Sequence, residues 1–246
     1  MKVVSRCVFG TLTVSGIQTV GASHREAHMP SGDAVLLRSE GAYLFYGLAD
    51  GQSGRCCGAE GGRACLEAIA DHIASAGIGN LMETPFPDEL PCTFTKIFRK
   101  KLLQLSESRA MPLEEFASTL LAVAVDLKTG KYMLLHLGDG CAVSIPVSGE
   151  PAMISAPDNG LSLRDTWLTT SGNAVSHFRI RFGSLENRKR LLLLSDGAAC
   201  FCKGRNILRN ARGLLTQGTP AQLEEQLRAG GLADDATCLL LEYHGI

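Results

Sequence analysis

No apolar run in this chain approaches the roughly 20 residues that a membrane-spanning helix needs. Lys2 could open a signal peptide, but Arg6 interrupts the apolar stretch that must follow. The expectation is a soluble, cytoplasmic protein with no membrane partner. Aromatic residues are scarce, at 6% with one Trp, and neither sign of charge is in excess: 24 Lys plus Arg face 25 Asp plus Glu, a net charge of -1. Without a basic surplus or many stacking rings, the chain has no general footprint for nucleic acid. No block of like charges reads as an interaction tail. Also missing are a Pro/Gly/Ser-rich linker, an internal repeat and a low-complexity tract, so one domain spanning residues 1–246 is expected. A domain of that size buries roughly 70–75% of the surface of its unfolded chain and needs no disulfide. Nine cysteines are present, an odd count, and Cys65, Cys141 and Cys238 sit inside apolar runs, which suits reduced cytosolic thiols. Neither Cys56-Cys57 nor Cys200-Phe201-Cys202 has the CxxC spacing of a zinc site.

What is present is a succession of short apolar segments. Lys2–Val20, with Gly10 and Gly16, reads as a hairpin of edge strands, and Ala34–Leu37 with Tyr43–Leu48 as a second, buried hairpin. Ala64, Leu66, Ile69, Ala70 and Ile73 repeat with helical spacing, so Arg63–Ser75 is a predicted helix. Gly79–Pro91, with three prolines, reads as a loop, and Phe94, Ile97, Phe98, Leu102 and Leu105 mark a second amphipathic helix. Ser118–Asp126 is a predicted central strand that returns through Thr129-Gly130 into Tyr132–Leu137, and Ala142–Pro146 continues the sheet. Trp167–Thr170 and Ser176–Phe182 read as another strand pair, and Arg190–Ser195 as a buried strand. Helices are predicted over Asn206–Leu215 and Pro220–Ala229, and a last strand over Thr237–Tyr243. Hairpins outnumber βαβ units. The order therefore predicts an α+β fold with mainly antiparallel sheets and helices outside, not a doubly wound parallel sheet.

One pattern recurs: an apolar strand runs into an aspartate beside small residues. Leu48-Ala49-Asp50-Gly51, Leu137-Gly138-Asp139-Gly140 and Leu194-Ser195-Asp196-Gly197 are three cases, and Asp234-Asp235 precede the last strand. Aspartate is disfavoured within strands, and an unpaired charge near a core is costly. Several carboxylates gathered at one sheet end repel, and a divalent cation relieves that repulsion while using their oxygens. Glycine after each aspartate is expected to let the backbone bend. Any single Asp-Gly is also an ordinary turn dipeptide.

In order and spacing, these motifs resemble the PPM/PP2C phosphatase family over nearly the whole length. Asp50-Gly51-Gln52-Ser53-Gly54 is similar to its Asp-Gly-His-Gly-Gly loop, and Ser118-Thr119 to its Thr-Thr strand. Gly138-Asp139-Gly140 stands for its Gly-Asp-Ser-Arg, Ser195-Asp196-Gly197 for its Ser-Asp-Gly, and Asp234-Asp235-Ala236-Thr237 for its Asp-Asn-x-Thr/Ser. Gly21-Ala22-Ser23-His24 with Pro30-Ser31-Gly32-Asp33-Ala34, and Thr166–Ser171, resemble elements of a small bacterial branch. The resemblance implies a four-layer α-β-β-α sandwich and a protein serine/threonine phosphatase using two Mn2+ or Mg2+ ions, with a third in some members. It implies that Asp50 bridges two ions with the Gly51 carbonyl on one, that Asp196 and Asp234 hold the second, and that Asp139 matches a third-ion position. Asp33 would lie beside the site, binding through water or orienting the attacking water. Asp235 stands where asparagine is usual and would act one layer back. Gly32, Gln52 and Cys141 depart from the Gln or Glu, the His and the Arg that the family has there.

Two cations about 3.5–4 Å apart lower the pKa of a shared water, which attacks phosphorus in line with the leaving oxygen. Oxygen-rich ligation suits Mn or Mg better than zinc. The leaving oxygen needs a proton, for which His24 and His28, near Asp33, are candidates; a structural role is the alternative for both. His136, alternating with apolar neighbours, reads as structural. Arg25 and Arg55 are candidates to grip phosphate, and Arg188-Lys189-Arg190 reads as a solvated turn. A thiol nucleophile at Cys56 or Cys57 is disfavoured, because nearby carboxylates raise its pKa. The expected partner is a phosphorylated protein, substrate of a cognate kinase. Two alternatives stay open: a PP2C-like regulatory module that has lost activity, and another two-metal phosphoesterase. Substrate choice is assigned to Gly149–Arg164, which reads as irregular.

Overall fold

The structure, a computed structural model, describes residues 2–146, 150–160, 165–186, 190–201 and 233–244. The chain divides into two compact units, one drawn from Met1–Asp33, Gly140–Ala156 and Leu185–Ile246, the other from Ala34–Asp139 and Pro157–Ser184.

The first unit is built on one sheet. Its strands lie in the order β1 (Lys2–Phe9), β2 (Leu12–Thr19), β11 (Ala236–Tyr243), β10 (Arg190–Leu194), β7 (Cys141–Ile145) and β8 (Ala152–Ser155). Every pairing is antiparallel. The leucine run of β10 is buried because strands flank it on both sides: Leu192 faces Val143 on one and Leu240 on the other. Ile17, Val143, Leu192, Leu194, Ala236 and Cys238 form the core of this unit. Two short helices border the sheet ends, α1 (Ala22–Glu26) and α6 (Asp196–Phe201).

The second unit has a five-stranded sheet, β3 (Asp33–Glu40), β4 (Tyr43–Asp50), β5 (Leu120–Asp126), β6 (Lys131–Leu137) and β9 (Arg179–Ser184), in that order. Its helices are α2 (Gly58–Ala76), α3 (Ile78–Met82), α4 (Leu90–Arg109) and α5 (Ala174–His177). Leu66, Ile69 and Ile73 of α2 and Phe94, Phe98 and Leu102 of α4 are fully buried in one cluster with Phe45, Ala122 and Leu135 of the sheet. Burying such a side chain contributes about 1.5–3 kcal/mol. Phe178 meets Phe98 edge-on with centroids 5.9 Å apart.

The fold class is as expected: two antiparallel sheets with helices. Several local expectations are corrected. Only β1 of the first hairpin is at an edge, because β2 pairs along its length with the C-terminal β11, from Ala236 opposite Thr19 to Tyr243 opposite Leu12. Gly79–Pro91 is not a loop throughout. It holds most of α3, a 3-10 turn at Pro87–Glu89 and the start of α4, where Pro91 sits in the first turn and its missing N–H costs nothing. Helix α2 begins five residues before Arg63, at Gly58. Trp167–Thr170 is a turn and not a strand: Leu168 and Ser171 bond each other, and the Thr169 N–H donates to the Ser118 carbonyl at 2.9 Å. Residues 176 and 177 of the expected partner strand belong to the short helix α5 (Ala174–His177), and β9 pairs with β6 instead. Within Gly149–Arg164 the structure adds β8, paired with β7. The helices predicted over Asn206–Leu215 and Pro220–Ala229, Arg188-Lys189 and Cys202 lie outside the described residues.

Candidate active site

The first unit gathers Asp196, Asp234, Asp235, His24 and Asp33. Strand β10 delivers Asp196 as the first residue of α6, fixed by reciprocal bonds between Ser195 and Thr237: Ser195 N–H to the Thr237 carbonyl at 3.0 Å, and Thr237 N–H to Ser195 Oγ at 2.9 Å. Asp234-Asp235 approach from the other side, immediately before β11. They are clamped closely. A Cβ on Gly21 would lie 2.4 Å from the Asp234 carbonyl carbon, and one on Gly197 would lie 1.9 Å from the Asp235 oxygen. Gly197 is therefore required by close approach. None of Gly51, Gly140 and Gly197 has a positive φ, whereas Gly138, which precedes Asp139, has φ +113°.

Asp235 is 3% exposed and its oxygens are used inwardly. Oδ1 accepts the Gly21 N–H at 2.6 Å, and Oδ2 accepts the Gly32 N–H and lies 2.8 Å from His24 Nδ1. Its carboxylate thus folds the Gly21–Gly32 segment onto the start of β11. Asp33 is also buried; its Oδ2 accepts the Thr237 hydroxyl at 2.5 Å, and its carbonyl accepts Gln18 Nε2 at 2.7 Å. Arg25 and His28, on and just after α1, are exposed and take no part in these bonds.

The remaining two carboxylates are less satisfied. Asp234 keeps an exposed edge, yet loss of hydration raises its pKa from the ordinary value. The charges of Asp196 and Asp235 push the same way, against the hydrogen bond from the Asp235 N–H. Asp196 Oδ1 is buried with no hydrogen-bond partner among the described residues. A buried carboxyl oxygen without a donor, beside a second carboxyl whose pKa is raised, is a poor arrangement for a bare protein. It is a good one for a hard divalent cation, so these residues fit Mn2+ or Mg2+. Among the described residues, no three His, Cys, Asp or Glu side chains already close into a cage.

The second unit places Asp50 at the end of β4, half-buried. Its N–H donates to Thr119 Oγ1 at 3.0 Å and its carbonyl accepts the Thr119 N–H at 2.8 Å; Gly51 bridges Ser118, and Gln52 N–H reaches the Ala117 carbonyl at 2.9 Å. The Ser118-Thr119 step therefore carries the ladder one turn past β4 and holds the Asp50 loop. Gly58 lets the start of α2 come against this loop, since a Cβ there would be 2.7 Å from Gly51 Cα. Asp139 follows β6, half-buried, and the Asp158 N–H grips the neighbouring Gly138 carbonyl at 2.9 Å. Asp158 also faces His177 Nδ1 at 3.2 Å, and His177 stacks on Trp167 with centroids 3.7 Å apart. Arg55 pairs with Glu115 at 3.0 Å.

Other titratable groups are accounted for. His136 is 1% exposed and accepts a bond from Arg179 Nη2 at 3.0 Å; burial, then the Arg179 charge, push its pKa down to about 3, in keeping with a structural role. The Cys56 thiol is pushed up to about 11 by bonding to Cys57 and Glu115, so it is no ready nucleophile. Sequence reasoning missed the anchoring by Thr119, Thr237 and Glu115 and the Asp158–His177–Trp167 stack. Only the polar residues at strand ends hinted at the first two.

The chain matches the Protein phosphatase 2C family over residues 20–230. No curated protein matches it. Among solved structures it is similar to a serine/threonine phosphatase from Staphylococcus aureus, with 17% identity, TM-score 0.71, and 94% of this chain and 95% of that one covered. It is similar to PppA, a key regulatory component of T6SS in Pseudomonas aeruginosa, at 18% identity and TM-score 0.63, with 98% and 100% covered. It is also similar to the catalytic domain of the serine/threonine protein phosphatase PstP in complex with two manganese ions, at 17% identity and TM-score 0.65, with 94% and 97% covered. These likenesses show the same fold, and with the family match spanning residues 20–230, the chain belongs to the Protein phosphatase 2C family.

Proposed function

We propose that this chain hydrolyses phosphoserine and phosphothreonine esters in proteins, with Mn2+ or Mg2+ bound at its aspartates. The observation that carries this reading is the Asp196–Asp234 pair, in which Asp196 Oδ1 is buried without a donor among the described residues and the neighbouring Asp234 carboxyl has its pKa raised by loss of hydration. Bound cations would supply an ionised water near neutral pH and offset phosphoryl charge. Asp50, with the Gly51 carbonyl, would serve both cations, Asp196 and Asp234 would hold the second of them, and Asp139 would match a weaker third position. Asp33, steadied by Thr237, orients the attacking water through Oδ1. His24, held at Nδ1 by Asp235, presents Nε2 to the leaving seryl or threonyl oxygen. Arg55 is steadied by Glu115 and Arg25 is exposed at α1; both are assigned to phosphate. The substrate is the phosphoprotein product of a cognate kinase, met in the cytoplasm; among the described residues no helix is long and apolar enough to cross a membrane.

The test is manganese-dependent turnover of p-nitrophenyl phosphate and of a phosphothreonine peptide. Asp196→Asn should abolish both, and activity indifferent to EDTA would overturn the reading. A faster turnover of a phosphodiester than of the phosphopeptide would instead support a different two-metal phosphoesterase.

A further inference from the structure

Three sulfur atoms meet just beyond the Asp50 loop, and the phosphatase chemistry uses none of them. Cys56 is exposed and Cys57 half-buried, both free thiols, with their sulfurs 3.5 Å apart. The Cys57 sulfur is also 3.8 Å from the Met111 thioether. The backbones that carry them are fixed independently. Cys57 is the residue before α2, and its carbonyl accepts the Gly61 N–H at 2.9 Å. Met111 follows the left-handed Ala110 that ends α4; its N–H reaches the Ser106 carbonyl at 3.1 Å and its carbonyl accepts the Ser106 hydroxyl at 2.6 Å. Glu115 pins Cys56 through its N–H at 3.3 Å and its thiol at 3.4 Å.

We propose that Cys56, Cys57 and Met111 form a binding site for a soft monovalent cation of the Cu(I) class. Thiolate and thioether sulfur select such cations, whereas Mn2+ and Mg2+ prefer carboxylate oxygen, so this site does not compete with the aspartates. Three sulfurs in a plane, each about 2.3 Å from a central ion, stand about 4 Å from one another. The two spacings found, 3.5 and 3.8 Å, lie close to that value. As the two sulfur–cation bonds form, each thiol releases its proton to solvent, and the site changes from neutral to a net charge of minus one. The Arg55 guanidinium balances the Glu115 carboxylate beside Cys56, and the exposed position of Cys56 leaves the added charge to solvent. Exposure of Cys56 provides the entry path. The inference stands apart from the phosphatase reading, because the phosphatase chemistry uses none of the three sulfurs and the test does not read turnover.

The experiment is an anaerobic titration of the full chain with Cu(I) against a chromophoric Cu(I) chelator, with sulfur coordination read by X-ray absorption. One tight equivalent with three sulfur neighbours is expected. Cys56→Ser and Cys57→Ser should each weaken it by more than about tenfold, the lower end of what even an outer contact costs. Met111→Leu, a conservative change, should weaken it too and leave two sulfur neighbours. Cys92→Ser should bind as the parent does. The proposal is overturned if the parent shows no tight equivalent, if the Cys56→Ser/Cys57→Ser double variant binds as well as the parent, or if Met111→Leu changes neither affinity nor sulfur count. Should a cysteine variant fail to fold, Met111→Leu alone decides.

Discussion

Asp235 shows how one side chain can serve a site without touching its chemistry. It is buried, accepts two backbone N–H groups and faces His24, so removing its charge should disturb proton delivery rather than cation binding. Asp235→Asn is expected to lower kcat on phosphopeptide about tenfold or more, with a smaller loss on p-nitrophenyl phosphate, whose leaving group needs no proton. Equal losses on the two substrates would refute this role. His136 makes a separate prediction about stability. Its native pKa lies near 3, against 6.5 when exposed. Below about pH 6.5 the unfolded chain gains a proton that the native state refuses until about pH 3, so this residue withdraws stability as pH falls through that window and has no effect above it. Urea unfolding at pH 7 and pH 5.5 should show a loss of about 1.2 kcal/mol from this group. His136→Gln should remove that part of the pH difference, whatever its effect on stability at pH 7.

At the scale of elements, the start of α2 is shaped by what lies beneath it. A Cβ on Gly61 would fall 2.0 Å from the Phe116 carbonyl oxygen, and one on Gly62 would fall 2.6 Å from the Ala49 Cβ. The glycines let the helix lie directly on the Asp50 loop and the segment before β5. Gly61→Ala should therefore cost about 3 kcal/mol, read as a lower denaturation midpoint, because backbone rather than a movable side chain must give way. An unchanged midpoint would show that α2 does not need this approach. Helix spacing from Arg63 onward was readable from Ala64, Leu66, Ile69 and Ile73. The first turn was not, because its glycines carry no periodic signal and low intrinsic helix propensity. Likewise Pro91 looked like a breaker until its place in a first turn was known.

At the scale of the whole chain, cation binding should couple to folding. Adding Mn2+ in excess should raise the melting temperature and EDTA should reverse it, since a ligand that binds only the native state stabilises by mass action. Asp196→Asn and Asp234→Asn should each blunt the rise; a full rise in both variants would move the cation elsewhere. The antiparallel, hairpin-rich class and the strand-end aspartates were legible because both depend on local patterns: apolar runs of strand length, turn residues between them, and charges where strands stop. The partner of β2 was not, because pairing with β11 joins residues more than 200 positions apart, and nothing in either strand names the other. The two roles of Asp234 and Asp235 were equally hidden. Adjacent residues of identical chemistry differ only in what the fold brings to them: desolvation and Asp196 for the first, the N–H groups of Gly21 and Gly32 for the second. Composition and periodicity set which segments become strands and where charge must leave them, since those choices are made over a few residues. Which carboxylate is consumed in holding the chain together, and which is not, was settled by long-range contacts that exist only in the folded molecule.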